Sequence, residues 1–147
     1  MSQAPPKIHL AEPPSAYLVR PSLVVDCSVL SAALFQEEAR DMALGMLSGK
    51  TLHAPFLLDH EIISVALKKG RAGWPEPVIT RAIADYAQQA IELHRTDIEA
   101  QWRLASLYQL SSYDAAYLWL AADLKVPLAT FDAKLATAAQ THMASLT

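Results

Sequence analysis

The sequence has little cysteine and glycine, no long apolar run and no excess of positive charge. A single cysteine, Cys27, excludes an internal disulfide and fits a reducing compartment. Only four glycines are present and no glycine-rich phosphate loop occurs, which argues against nucleotide kinases and dinucleotide oxidoreductases. Apolar stretches end well before the ~20 residues that a membrane span needs, and no secretory signal pattern opens the chain. We therefore expect a cytoplasmic protein without a membrane segment.

The charge balance excludes nucleic-acid binding through bulk positive charge. Twelve Lys and Arg residues stand against fifteen Asp and Glu residues, for a net charge of −3. If this protein acts on a polyanion, another group must supply the positive charge. Because 52% of the 147 residues are hydrophobic, the chain is expected to form one globular domain.

Proline divides the chain into two parts. Five of the nine prolines fall within the first 21 residues, and proline resists the interiors of helices and sheets. We therefore interpret residues 1–21 as an extended N-terminal arm and residues 22–147 as the folded domain.

Short apolar runs alternate with helical periodicity after the arm. Strands are predicted over 23–25, 51–54 and 127–131, whereas 91–94 either extends a helix or forms a strand, and 143–146 is expected to add an edge strand. Helices are predicted over 29–35, 37–47, 55–69, 77–90, 97–107, 115–124 and 134–141. This alternation predicts an α/β domain with a central, mainly parallel sheet.

Acidic residues follow two of these strands. Asp26 and Asp132 come directly after apolar strands, so both are expected at the same rim of the sheet, where α/β proteins bind ligands. Asp114 opens a helix and could face that rim, although Ser111 and Asp114 also fit a helix-capping box. Glu61 lies inside a helix, on either a solvated face or the face toward the rim.

Carboxylates gathered at one rim would require a cation. Two like charges ~5 Å apart cost roughly 3 kcal/mol at an effective dielectric of ~20. Mg²⁺ and Mn²⁺ prefer carboxylate oxygens with retained water, and such an ion can contact phosphate oxygens and activate water for in-line attack. The sequence thus favours a metal-dependent reaction at a phosphate.

Four acidic segments together resemble a known family. They are VVDCSV (24–29), DHEIISV (59–65), YDAAY (113–117) and ATFD (129–132). Their order and spacing resemble the PIN-domain nucleases, above all the VapC-like toxins of type II toxin–antitoxin modules. The resemblance covers nearly the whole domain and implies a three-layer α/β/α fold.

The resemblance also implies a site and partners. Asp26, Glu61, Asp114 and Asp132 take the catalytic, metal-binding positions for Mg²⁺ or Mn²⁺, and Ser28 and Thr130 supply supporting hydroxyls. The implied activity is endoribonuclease cleavage of RNA by a homodimer that a small antitoxin protein inhibits. The alternative is a catalytically weak PIN-like domain that binds RNA or a protein without cutting.

The remaining polar and aromatic residues are less specific. Lys68, Lys69 and Arg71 are either weak RNA contacts or a helix C-terminus that its dipole favours. Cys27 lacks a nucleophile signature and is expected in the core. Trp102 and Trp119 lie on apolar helix patterns, so we expect both to pack in the core.

Overall fold

A four-stranded parallel sheet forms the centre of the domain. The computed structural model describes residues 20–146, together with His9. The strands are β1 (Ser22–Val25), β2 (Thr51–Pro55), β3 (Ile91–His94) and β4 (Leu128–Ala129), in the spatial order β3-β2-β1-β4 with every pair parallel. The arm expected at residues 1–21 lies almost wholly outside the described residues.

Seven helices among the described residues cover the sheet. They are α1 (Cys27–Leu34), α2 (Arg40–Leu47), α3 (Leu57–Arg71), α4 (Glu76–Ala87), α5 (Ile98–Tyr108), α6 (Ser112–Leu124) and α7 (Ala133–Ala144). One group consists of α1 with α2, α3 and α4, whereas α6 packs on the sheet with α5 and α7 beside it. The expected three-layer α/β/α fold is confirmed.

Burial on both faces explains the composition of β1. Leu23, Val24 and Val25 are all buried, as a continuous apolar run in a central parallel strand requires. Helix α6 is buried over its middle, where the buried residues are Ala115, Ala116, Tyr117, Leu118, Leu120 and Ala121. Because β1 and α6 are buried, Asp26 after β1 and Asp114 in the first turn of α6 have fixed positions.

The structure differs from the sequence predictions, or decides between them, in three predicted strands. Residues 91–94 form β3, which pairs with β2 along its whole length. Residues 143–146 do not form an edge strand, because α7 continues through Ala144. The strand expected at 127–131 is shorter, since only Leu128 and Ala129 pair with β1.

Of the two tryptophans predicted to pack in the core, one does so in part and the other does not. Trp119 packs against the core in part, but Trp102 is 63% exposed, so its expected core position is wrong. Leu104 is the buried residue of α5, which shows that this helix buries a narrow stripe and leaves Trp102 outside it. Among the helices of residues 20–146, none is both long and apolar enough to cross a membrane.

Candidate active site

Asp26 lies where β1 ends and α1 begins. Its backbone is extended, and it caps α1 by accepting a hydrogen bond from the Val29 amide at 3.2 Å. The residue is only 5% exposed, yet its carboxylate carries no ion pair within 4.0 Å in the described chain. Buried acids usually require a charged partner, so this one is a candidate ligand for a cation.

Two hydroxyls fix the Asp26 carboxylate. Ser28 Oγ donates to one oxygen at 2.7 Å, and Thr130 Oγ1 donates to the other at 2.6 Å. The same hydroxyls accept from the β4–α7 loop, Ser28 from the Phe131 amide and Thr130 from the Asp132 amide. Ser28 and Thr130 therefore tie the ends of β1 and β4 together and orient Asp26.

Asp132 lies beyond β4 and caps α7. Its Oδ1 accepts from the Leu135 amide at 2.8 Å, and the residue is exposed. One carboxylate oxygen thus serves the helix terminus, while the side chain lies close enough to Asp114 to influence its protonation.

Asp114 lies in the first turn of α6, and the capping explanation holds for this turn. Ser111 is the N-cap and accepts from the Asp114 amide at 3.0 Å. The Asp114 side chain nevertheless interacts electrostatically with both Asp132 and Asp26. The same turn of helix is therefore both capped and near enough to Asp26, at the end of β1, for the two carboxylates to interact.

Glu61 lies on α3 and is half-buried. It accepts a hydrogen bond from the Tyr117 hydroxyl at 2.7 Å, and Tyr117 is itself 1% exposed. Sequence reasoning gave Tyr117 no role, although it lies one helical turn after Asp114 and thus on the same face of α6. The three-residue spacing between Asp114 and Tyr117 was the feature of the sequence that could have indicated this role. Tyr117 holds Glu61 toward the rim and decides between the two faces that the sequence left open.

Burial raises the pKa values of three of these acids, and repulsion from neighbouring carboxylates adds to the effect in Glu61 and Asp114. Burial is the main cause of the raised pKa of Asp26, which its hydrogen bonds partly oppose. Burial also raises the pKa of Glu61, and the charges of Asp26 and Asp114 raise it further. For Asp114, burial acts first and the charges of Asp132 and Asp26 add to it. The structure thus brings all four predicted carboxylates into one electrostatic cluster.

The cluster suits a hydrated divalent cation. Within residues 20–146, no three of these four carboxylates bring oxygens within 4.8 Å of one another, so direct ligation by three of them at once is not preformed. Mg²⁺ characteristically keeps several waters and takes only a few carboxylate ligands. The donors are all oxygens, which is the chemistry of Mg²⁺ and Mn²⁺ rather than of softer metals.

A cavity of about 440 Å³ opens beside Glu61. Its lining is Cys27, Leu57, His60, Glu61, Ser64, Val65 and Tyr113. Cys27 is buried as expected, and burial raises the pKa of its thiol to about 11, which leaves it a poor nucleophile at neutral pH. The cavity therefore offers a mostly apolar wall next to one carboxylate.

The three basic residues at the end of α3 have different surroundings. Lys69 lies 2.9 Å from Glu37 and its ammonium sits 4.1 Å from the Trp74 ring centroid, so its charge is already engaged. Lys68 and Arg71 are exposed and have no ion-pair partner among the described residues. Only these two remain open to a phosphate.

Comparison with known proteins places the fold in context. A sequence model described as the PIN domain matches residues 23–140. PAE2754 from Pyrobaculum aerophilum has a similar structure, with a TM-score of 0.66, 21% identity, and coverage of 86% of this chain and 90% of that one. VapC20 of Mycobacterium tuberculosis, titled a Sarcin-Ricin loop cleaving toxin, aligns with a TM-score of 0.61 and 12% identity over 79% of this chain and 94% of that one. No curated protein matches the sequence significantly.

Proposed function

Because the chain belongs to the PIN domain family, we propose that it is a Mg²⁺- or Mn²⁺-dependent endoribonuclease. The observation that carries this proposal is the convergence of Asp26, Glu61, Asp114 and Asp132 from four separate segments, where the charges of Asp26 and Asp114 raise the pKa of Glu61 and those of Asp132 and Asp26 raise the pKa of Asp114. No Lys or Arg within 4.0 Å neutralises the cluster among the described residues.

The four acids have distinct proposed roles. Asp26, Asp114 and Asp132 hold the principal ion, and Glu61 holds the same ion or a second one. Together these residues would hold an ion that, when bound, would supply a Lewis acid for a phosphate and lower the pKa of a water; the proposed products are a 5′-phosphate and a 3′-hydroxyl. Ser28 and Thr130 keep the Asp26 oxygens in place through their bonds of 2.7 and 2.6 Å.

A toxin within a toxin–antitoxin pair is the proposed biological role. The structural likeness to a protein titled a toxin supports it, and so does the apolar cavity beside Glu61, which suits an inserted peptide from a small antitoxin. Such a role places the enzyme in the cytoplasm with its RNA substrate. We also propose a homodimer, since α5 exposes Ile98, Trp102 and Leu107 by more than 60% each.

An RNA cleavage assay with Asp26→Asn tests the proposal. We expect the parent to cut RNA only with Mg²⁺ or Mn²⁺, and the variant to lose at least ~100-fold in rate, as loss of a key electrostatic group typically costs. Asp123→Asn, an exposed acid of α6 outside the cluster, is the matched control and should cut like the parent. RNA binding by the parent without metal-dependent cleavage would instead support the non-cutting PIN-like alternative.

A further inference from the structure

A second group of metal-binding side chains lies on the sheet between β2 and the edge strand β3. His53 of β2 pairs with Glu92 of β3, and His94 follows two residues later. Side chains two residues apart on a strand share a face, and so do directly paired residues, so all three side chains lie on one face of the sheet. We call His53, Glu92 and His94 the histidine site.

The side chains of the histidine site are already close together. His53 Nδ1 lies 2.9 Å from His94 Nε2 and 3.4 Å from Glu92 Oε2, and one ligand atom from each of the three residues lies within 4.8 Å of the other two. Within residues 20–146, no other group of three Asp, Glu, His or Cys residues brings its ligand atoms within 4.8 Å of one another.

We propose that the histidine site binds a transition-metal ion of the Zn²⁺ class. Two imidazoles and one carboxylate are a donor set that Zn²⁺ uses, whereas Mg²⁺ prefers oxygen ligands alone. For bonds of about 2.0–2.1 Å, tetrahedral geometry places two ligand atoms about 3.4 Å apart. The His53–Glu92 distance of 3.4 Å already matches this value, and the two histidines would separate by about 0.5 Å to reach it.

Ser22 prepares His53 for this role. His53 Nε2 lies 3.3 Å from Ser22 Oγ, on the adjacent strand β1. When Nε2 donates its proton to that hydroxyl, Nδ1 remains unprotonated and faces the other two ligands, which is the arrangement found around metal-bound histidines. Ser22 is thus a positioning residue for the histidine site.

Exposure makes the histidine site reachable. His53 is 8% exposed, whereas the Glu92 side chain is 64% exposed on the edge strand, so an ion can enter from solvent and reach a buried ligand. A bound ion would join β3 to β2 through side chains, in addition to their backbone pairing. The open fourth position would hold water, as in three-ligand zinc sites.

Zinc binding to the full-length protein in excess Mg²⁺ tests this proposal. Mg²⁺ occupies oxygen-ligand sites, and equilibrium dialysis with metal analysis then counts Zn²⁺ per chain. We expect one Zn²⁺ per chain in the parent and at least ~10-fold weaker binding in Glu92→Gln and in His94→Gln, since even indirect ligand partners change affinity by 10–100-fold. Ser22→Ala should weaken binding by a similar factor, with thermal melting confirming that each variant folds.

Two controls separate the histidine site from the carboxylate cluster. His142→Gln removes a histidine that bonds Tyr108 elsewhere, and Asp26→Asn damages the cluster; both should bind Zn²⁺ like the parent. The proposal is overturned if Glu92→Gln, whose side chain is exposed, binds Zn²⁺ as tightly as the parent. It is also overturned if Asp26→Asn abolishes the binding. Because RNA cleavage is not measured, the proposed nuclease function can fail without affecting this result.

Discussion

At the residue scale, Asp26 shows how one buried acid is prepared for a ligand. Two hydroxyls and a backbone amide satisfy its oxygens, but burial still raises its pKa. These hydrogen bonds orient the carboxylate without cancelling its charge. A bound cation would stabilise the ionised carboxylate, which burial disfavours. Its position after an apolar strand was predictable from the local sequence, whereas the supporting hydroxyl of Thr130, 104 residues away, was implied only by the resemblance to PIN-domain nucleases.

Glu61 yields a prediction about stability and pH. Its folded-state pKa lies above the ordinary 4.5, mainly through burial. Because the folded state binds the Glu61 proton more tightly than the unfolded state does, the contribution of Glu61 to the free energy of unfolding is highest below about pH 4.5. It falls as the pH rises through the folded-state pKa of Glu61. Without divalent ions, Glu61→Gln should therefore raise stability at pH 7 by on the order of 1 kcal/mol, or about 2–4 °C in melting temperature.

Thermal melting in EDTA at pH 7 and near pH 4 measures this effect. Because Glu61 is only half-buried, solvent screening keeps the gain small. The difference between the variant and the parent should shrink at the lower pH, where the parent's carboxyl is protonated. A Glu61→Gln variant that melts below the parent at pH 7 would contradict the destabilisation assigned to the buried Glu61 charge.

At the scale of elements, the N-terminal ends of three helices carry three of the four acids. Asp26 caps α1 and Asp132 caps α7, while Asp114 lies in the first turn of α6. The sequence allowed these positions to be predicted, because strand ends and capping residues leave local signals. Local signals could not decide the direction of Glu61, which depends on Tyr117 from another helix, nor the identity of β3, which depends on pairing with β2.

Helix capping gives a prediction with a matched control. Ser111→Ala removes the N-cap of α6 and should cost about 1 kcal/mol in unfolding free energy. It should also reduce the cleavage rate of the folded enzyme several-fold, because Asp114 lies in the released turn. Asp97→Ala removes the α5 cap, which accepts from the Ala100 amide, and should cost similar stability. Equal activity loss in both variants, measured per folded molecule, would contradict a specific role for the α6 turn.

The end of α3 gives a prediction about RNA affinity. The double substitution Lys68→Ala and Arg71→Ala should weaken RNA binding. It should also reduce the slope of the logarithm of the binding constant against the logarithm of the salt concentration by about 1.4, because each phosphate contact with a single strand contributes ~0.7. Binding is measured with the Asp26→Asn background, so that cleavage does not interfere. Lys50→Ala, a basic residue before β2 whose Nζ donates to Met46 O, is the control that should leave the slope unchanged. An unchanged slope in the double variant would remove both residues from the RNA-binding surface.

At the scale of the whole molecule, the parallel sheet joins segments that are far apart in sequence. β1 lies between β2 and β4, so the acids after β1 and β4 meet at one edge, while α3 and α6 bring Glu61 and Asp114 to it. Apolar runs predicted the parallel α/β sheet, and the resemblance of the acidic segments to PIN-domain nucleases implied the three-layer fold, but the strand order was not predicted. Strand register was not available from the sequence, and for that reason the histidine site on β2 and β3 became visible only in the folded chain.

Diffraction from crystals soaked in Mn²⁺, with anomalous scattering to locate the ion, shows whether these acids bind a metal. We expect an anomalous peak within about 2.5 Å of carboxylate oxygens of Asp26 and at least one of Asp114 and Asp132, because hard cations bind such oxygens at close range. Under the same soak, crystals of Asp26→Asn should show a weaker peak or none. A well-ordered rim with no peak in the parent, or a peak that the substitution leaves unchanged, would contradict a metal centre at these four acids.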